Sequence, residues 1–368
     1  MMMSMDKLDL VRTYQTATQM NAIAMTNFPE VGRVVDCLKM IKVPVPRPQE
    51  GEVAIKMIAS SLYADELYAA QGTALGRFFG PKLVSETEPY IMGSSVSGII
   101  VGLGEKVTNL SVGQEIIAIP SQTPVHGAWA DYYCLKQERI MQKPDGFSFM
   151  EAAGIKMAAC VSWGAICHSN IKQGDRTLVI GASGGLGIMA VQYLKSLGAQ
   201  VTGVCSGKNA EMVCAYGAGE VVDYTKNDFA DLAIKNKWFY DTIFDFVGGT
   251  DGEKSGFRAL KKSGHYITVT GPVMFIGEKK LSWAELGKVL FHVASKSIIG
   301  RFSGPRYTFG EMKPAKTIHD AISHAVKHQI KMPISQEIPF EIDAVKQALS
   351  LILRHRAKGR IVIDFSKV

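Results

Sequence analysis

Short apolar runs broken by glycine, proline and polar residues fill the first part of the chain. Runs at Met20–Met25, Glu52–Ile58, Gly98–Gly102, Gln114–Ile119 and Ala130–Leu135 have strand length, and Pro44, Pro46 and Pro48 mark an extended loop between them. Many short strands with glycine turns predict a barrel-like or partly closed sheet. From about residue 148 the texture changes. Strand-like Thr177–Ile180 precedes helical Gly185–Leu197, and strand-like Val201–Cys205 precedes helical Asn209–Tyr216. The alternation continues through Val221–Val222, helical Phe229–Lys235, Thr242–Phe246, helical Gly252–Lys261, His265–Thr270, helical Trp283–Val293 and Ser297–Ile299. This is the pattern of a parallel doubly wound sheet. After about residue 301 it stops, and helices at Ala315–His328 and Asp343–His355 lead to a final strand, Arg360–Phe365. The predicted organisation is α/β, with a discontinuous β-rich domain over 1–145 and 301–368 and a doubly wound domain over 146–300.

With 368 residues, 47% hydrophobic and 20% charged, the chain has ample material for packed cores. The balance of 41 basic and 34 acidic residues, +7 overall, is spread along the chain. The densest basic stretch, Arg354 to Arg360, suits phosphate but reads by default as solvated surface, so no nucleic-acid partner is expected. The six cysteines form no CxxC pair, which fits a reducing compartment, and Cys160, Cys167, Cys205 and Cys214 sit in apolar or small-residue runs as buried thiols do. No run of 18 apolar residues predicts a transmembrane helix. The first residues lack the apolar core of a secretory signal, so the protein is expected in the cytoplasm or mitochondrion and not secreted. Within 1–19, Lys7 and Arg12 suit a presequence while Asp6 and Asp9 oppose it, which favours a short disordered leader.

The strongest local signal is the run Gly181, Ala182, Ser183, Gly184, Gly185, Leu186 and Gly187. It follows a strand, opens a helix, and precedes a second strand about 20 residues on. Ala182-x-Gly184-x-x-Gly187 matches the dinucleotide fingerprint with Ala first. Small residues allow a tight turn and close approach of a pyrophosphate, and the helix N-terminus offers free N–H groups to it. The plain alternative is a glycine-rich turn. The second strand ends Cys205-Ser206-Gly207-Lys208, with no acid until Glu211. A small hydroxyl at Ser206 and a cation at Lys208 suit a 2′-phosphate rather than free ribose hydroxyls, so NADPH is the expected cofactor, although an exposed helix-start lysine reads the same way. Tyr224 would flank the adenine. Val247 and Gly248, in Asp245-Phe-Val-Gly-Gly249, and Gly271, in Thr270-Gly-Pro272, end later strands where a ligand crevice lies, unless they are ordinary turns.

On these residues the chain resembles the zinc-independent medium-chain dehydrogenase/reductase superfamily. It is similar to the quinone oxidoreductase, ζ-crystallin-like branch, and most of all to the reticulon-interacting mitochondrial oxidoreductase group. The resemblance runs from about Met20 to Phe365. It is carried by Tyr90-Ile-Met-Gly-Ser-Ser-Val-Ser-Gly98, Gly127-Ala-Trp-Ala-Asp-Tyr132, Glu151-Ala-Ala153, the turn at Gly181–Gly187, Gly217-Ala-Gly-Glu-Val-Val-Asp-Tyr224, Tyr240-Asp-Thr-Ile-Phe-Asp245 and Ala357-Lys-Gly-Arg-Ile-Val-Ile363. It implies a GroES-like catalytic domain built from both chain ends, a Rossmann NADP(H)-binding domain between, and NADPH-dependent reduction of a quinone or activated alkene, in a homodimer. It also implies that Arg356 and Arg360 reach the cofactor's phosphates, unless they are surface charge.

The departures bear on chemistry. Zinc-dependent relatives carry a Cys near position 63 and Gly-His-Glu at 93–95, whereas this chain has Tyr63 and Gly93-Ser94-Ser95. Serine replaces neither imidazole nor carboxylate as a ligand, so no metal site is expected. Enoyl-thioester reductases carry a Tyr just after Gln71-Gly72, where this chain has Thr73. Reduction of a conjugated carbonyl needs hydride from the nicotinamide and a hydrogen bond or proton at the acceptor's oxygen. Tyr63 falls where the family's active-site residue lies and is the expected donor, the alternative being a half-buried strand-end tyrosine. His126 reads as an exposed loop residue and His265 as structural. Phe78, Phe79 and Phe302 would wall an apolar cleft or simply pack. Two functions remain: an NADPH-dependent, metal-free reductase of quinones, enones or enals, and a nucleotide-binding scaffold or assembly protein with little turnover.

Overall fold

Strand Glu52–Ser61 meets apolar neighbours on both faces, because Val53, Ala54, Ile55 and Met57 follow one another almost without polar interruption and all are fully buried. The computed structural model describes residues 7–73, 76–118, 127–274, 276–310, 316–354, 357 and 359–367. Among them the chain divides into two compact units, 1–156 with 333–368, and 157–332.

In the first unit Glu52–Ser61 is the axis of a seven-stranded sheet. The order is Ile334–Pro339, Arg360–Asp364, Glu52–Ser61, Val96–Leu103, Glu115–Ala118, Ile140–Gln142, and Tyr132–Lys136 also pairs with Glu52–Ser61. The returning strand pairs antiparallel in the register Val362 to Ser61, Ile363 to Ser60 and Asp364 to Ala59. A smaller antiparallel sheet of Leu38–Pro44, Gln19–Met25 and Tyr90–Ile91 packs with it. This is the GroES-like architecture. The second unit is a six-stranded, wholly parallel sheet in the order Glu220–Asp223, Gln200–Cys205, Arg176–Ile180, Tyr240–Asp245, Leu260–Thr268, Arg306–Phe309. In chain order that is 3-2-1-4-5-6, the Rossmann arrangement. The strand order reverses between Arg176–Ile180 and Tyr240–Asp245, the switch point at which sheets of this kind bind their ligands.

Several local expectations change. The chain re-enters the first unit at Pro333 rather than residue 301. The reason is that Arg306–Phe309 adds the sixth parallel strand, and helix Lys316–Lys327 is tied to the same unit by Tyr193 Oη donating to the Ala321 carbonyl at 2.9 Å. Ser297–Ile299 is not a strand but part of one helix, Trp283–Phe302, which nothing breaks before Ser303-Gly304-Pro305. Residues 7–16 form a helix rather than a disordered leader. Leu10 and Tyr14 are buried, and Arg47 reaches back to the carbonyls of Tyr14 and Ala17. Of the four cysteines expected inside, Cys160 and Cys205 are buried, while Cys167 and Cys214 face solvent. Among the described residues no helix is long and apolar enough to cross a membrane.

Candidate functional site

The glycine turn gains its shape from strand Arg176–Ile180. Gly181 and Ala182 both donate their N–H to the Val204 carbonyl at 3.1 Å, which binds the turn to the adjacent strand end. Gly181 has φ +81°, and a Cβ there would stand 2.8 Å from Val247 Cγ2. A Cβ on Gly187 would lie 2.2 Å from the Gly181 carbonyl oxygen, so only glycine lets the helix close on the turn. Helix Gly185–Ser196 starts with Gly184 at its N-cap and no side chain capping it. Its first N–H groups therefore lack intrahelical partners, and the helix dipole adds positive potential there. These features fit a pyrophosphate.

Around the turn, Asn209 Nδ2 donates to Ser183 Oγ at 3.2 Å, linking it to the end of the second strand. Asn209 was not singled out from the sequence; its place four residues after Cys205 was the available signal. Ser206 is half-buried, Lys208 is exposed, and Tyr224 is 63% exposed with its N–H donating to the Cys205 carbonyl. Thus Ser206, Lys208 and Tyr224 gather at the ends of two neighbouring strands. A carboxylate joins them. A Cβ on Gly207 would stand 2.5 Å from Asp223 Oδ2. Hydrogen bonds from Thr225 Oγ1 and N–H, with one from the Gly207 N–H, hold the Asp223 carboxyl below its ordinary range. The strand end is therefore not free of acid, as its local sequence suggests, because Asp223 arrives from the next strand.

Past the switch point, Asp245 Oδ1 accepts from the Val247 and Gly248 N–H groups at 2.9 Å each, and Oδ2 accepts from Tyr266 Oη at 2.8 Å. Burial pushes this carboxyl above its ordinary range. Gly249 N–H donates to the Gly271 carbonyl and Thr268 Oγ1 accepts from the Gly271 N–H, so the loops bearing Val247, Gly248 and Gly271 are laced together. Asp245 and Tyr266 thus fix the loops at these two strand ends.

In the first unit, Tyr63 is 2% exposed. Its hydroxyl lies 3.2 Å from the Ala153 carbonyl and 3.3 Å from that of Gly154, and donates between them. The Arg360 guanidinium lies 4.2 Å from its ring centroid. In this arrangement the one Tyr63 hydroxyl proton is directed at backbone carbonyls. Arg360 is correspondingly a packing partner of Tyr63. Ser95 Oγ donates to the same Ala153 carbonyl at 2.8 Å. Ser94, half-buried, donates both N–H and Oγ–H to Glu66 Oε1. Glu66 is 8% exposed, and its Oε2 is buried with no hydrogen-bond partner among the described residues. Burial pushes its carboxyl up to about 8, so it keeps its proton at neutral pH. Sequence reasoning passed over Glu66, whose signal was a carboxylate in the short helix Ala64–Ala70 beside an apolar strand end.

Arg356 and His126 lie outside the described residues, as does the side chain of Phe79. His265 is buried within its strand, hydrogen-bonded to Thr308, and pushed down to about 4 by burial. Phe78 is 50% exposed, and Phe302, 86% exposed, sits on the long helix of the second unit.

The family description "Alcohol dehydrogenase GroES-like domain" matches residues 49–145, and "Zinc-binding dehydrogenase" matches residues 185–315. A chloroplastic quinone-oxidoreductase homolog of Spinacia oleracea is 30% identical over 358 residues, covering 95% of this chain and 99% of the relative. The mitochondrial NAD(P)H oxidoreductase RTN4IP1 of Mus musculus is 29% identical over 330 residues, covering 85% and 81%. The solved structure of the quinone oxidoreductase from Coxiella burnetii superposes with a TM-score of 0.74 at 22% identity, covering 94% of this chain and 99% of that one, a likeness of fold.

Proposed function

The chain belongs to the quinone oxidoreductase branch of the medium-chain dehydrogenase/reductase superfamily, and we propose from that footing that it is an NADPH-dependent, metal-free reductase of quinones or carbonyl-conjugated alkenes. The observation that supports this most directly is the uncapped helix start at Gly184, behind a turn that no larger residue than glycine at 187 would fit. The backbone of Gly181, Ala182, Ser183, Gly184, Gly185, Leu186 and Gly187 would hold the pyrophosphate. Ser206 and Lys208 would take the 2′-phosphate, Tyr224 would lie against the adenine, and Val247, Gly248 and Gly271 would border the nicotinamide. Arg356 enters by family resemblance alone. Bound NADPH supplies a hydride. The first unit would then bind the acceptor, and the second the nucleotide, in a homodimer.

The proton side falls to the first unit. Ser94 Oγ is half-buried and gives its proton to Glu66 Oε1; because that carboxyl is itself protonated at neutral pH, the Glu66 O–H would donate to Ser94 Oγ instead and release the serine proton to an acceptor oxygen as negative charge develops there. The metal-free reading rests on donor chemistry: Tyr63, Ser94 and Ser95 present neutral hydroxyls where zinc-binding relatives carry thiolate, imidazole and carboxylate.

One observation favours the second reading, a nucleotide-binding scaffold with little turnover: the Tyr63 hydroxyl is bonded to carbonyls rather than held ready. The test is NADPH oxidation against a panel of quinones, enones and enals, with calorimetric NADPH binding in parallel. Oxidation with one acceptor class supports the reductase. Tight binding with no oxidation by any acceptor supports the scaffold.

A further inference from the structure

Helix Trp283–Phe302 has twenty residues and is fixed to the second unit along one side only. Ser282 and Glu285 form a reciprocal capping box that sets its start. Leu286 is buried beneath it, and His292 and Lys296 both reach the buried Glu253 carboxylate, at 2.8 and 3.2 Å. Gly300 closes on strand Arg306–Phe309, where a Cβ would stand 3.0 Å from the Tyr307 nitrogen. The opposite side is apolar and open: Trp283 is 69% exposed, Leu290 60%, Phe291 76%, Ile298 56% and Phe302 86%. At the helical turn angle these positions fall in an arc of about 120°, shared only with Ala284, Gly287, Ala294 and Arg301. An apolar strip about 30 Å long is far beyond the scattered apolar residues of an ordinary surface.

The charges around the strip are one-sided. Lys279 and Lys280 precede the helix, Lys288 lies on its flank, Arg301 lies within the arc, and Arg306 starts the adjoining strand; all five are exposed. Against them stand Glu278 and Glu285, and Glu285 is held by the capping box. We propose that this helix docks the protein on the surface of an anionic lipid bilayer, lying in the interfacial plane with Phe291 and its neighbours among the acyl chains and the cations on the headgroups. The strip runs along one side of a single twenty-residue helix, which suits it to lie in an interfacial plane. Its rim is cationic, which fits anionic headgroups and sets two copies of the same face against each other. The packed side of the helix keeps it from spanning the bilayer. The inference is independent of the acceptor chemistry proposed above, since it concerns adhesion without turnover.

The full-length protein loaded with NADPH is to be sedimented with vesicles of phosphatidylcholine alone and of phosphatidylcholine with phosphatidylglycerol. The expected result is strong partition onto the anionic vesicles, weak partition onto the neutral ones, and loss of the difference in high salt. Leu290→Asp with Phe291→Asp should lower partition onto anionic vesicles at least tenfold, with the unfolding temperature and NADPH binding unchanged. Lys288→Glu with Arg301→Glu should lower it on anionic vesicles only, and carries the test should the first pair misfold. Three results overturn the proposal: no partition onto either vesicle, partition that neither pair alters, or a concentration-dependent dimer in sedimentation velocity that the Leu290 and Phe291 substitutions abolish, which would make the face a contact between copies.

Discussion

Ser94 gives both its backbone N–H and its hydroxyl to a single oxygen of Glu66, and leaves the other carboxyl oxygen buried. Burial, with the Asp65 charge beside it, outweighs these hydrogen bonds, so the carboxyl stays neutral. The folded protein holds this proton up to about pH 8, whereas an ordinary glutamate loses it near 4.5. Between those values the folded state binds more protons than the unfolded one, so stability falls as pH rises, by up to about 1.4 kcal/mol per pH unit, and levels off above the folded value. Glu66→Gln keeps an oxygen for Ser94 and cannot ionise. We expect denaturant unfolding at pH 5, 7 and 9 to show this decline in the wild type and its loss in the variant. Parallel curves for the two proteins would place the proton elsewhere.

The nucleotide preference turns on two charges. Lys208 is exposed beside Ser206, and Asp223 is held under the same loop by Gly207 and Thr225. Lys208→Ala should weaken NADPH binding about tenfold, the scale of one charge-assisted hydrogen bond, and leave NADH binding nearly unchanged. Asp223→Asn should move the ratio the other way, toward NADPH, by removing a negative charge near the 2′-phosphate. Calorimetric titrations showing equal wild-type affinities for the two cofactors would remove the assignment of Ser206 and Lys208.

How far each part of this protein can be read from its sequence follows from how local its determinants are. The turn at Gly181–Gly187 lies within one strand-turn-helix segment, so spacing and residue size suffice. The Glu66 and Ser94 pair, 28 residues apart, depends on which side of a short helix faces a distant loop, and no periodicity carries that. Asp223 likewise reaches the second strand's end only because parallel pairing sets it opposite Cys205. The sixth Rossmann strand, four residues long, offers no alternation to detect, and the apolar Ile298-Ile299 that mimics a strand belongs to the exposed side of a helix. The helix at 7–16 is amphipathic over barely three turns, and it is held by Tyr14 donating to the Pro46 carbonyl, a contact 32 residues away.

Gly187 offers a test of the turn itself. Its missing Cβ leaves room for the Gly181 carbonyl, and that neighbour is backbone, which cannot swing aside. Gly187→Ala should cost about 1–3 kcal/mol through overpacking. More tellingly, it should abolish the rise in unfolding temperature that NADPH gives the wild type, because the strand and the first helical N–H groups can no longer keep their spacing. Thermal unfolding with and without NADPH reads both effects. An undiminished NADPH shift in the variant would move the phosphate site away from this helix.

Tyr63 separates a catalytic role from a structural one. Were its hydroxyl the donor to the acceptor's oxygen, Tyr63→Phe would lower turnover about a hundredfold while leaving stability alone. The hydrogen bonds of Tyr63 favour the opposite expectation. The hydroxyl bridges the carbonyls of Ala153 and Gly154, and the Arg360 guanidinium lies over the ring. Removing it deletes a buried hydrogen bond but leaves both carbonyls with helical neighbours, so about 1 kcal/mol of stability should be lost. Turnover on an enone should change less than threefold. Ser94→Ala supplies the contrast: it keeps the backbone N–H on Glu66 but removes the half-buried hydroxyl, so turnover should fall by roughly tenfold or more, with NADPH affinity unchanged. Unfolding curves and kcat on an enone with a rate-limiting hydride step, measured for both variants, decide between them. A hundredfold loss in Tyr63→Phe with wild-type stability would restore the tyrosine as the donor and require its hydroxyl to leave the Ala153 carbonyl when the acceptor binds.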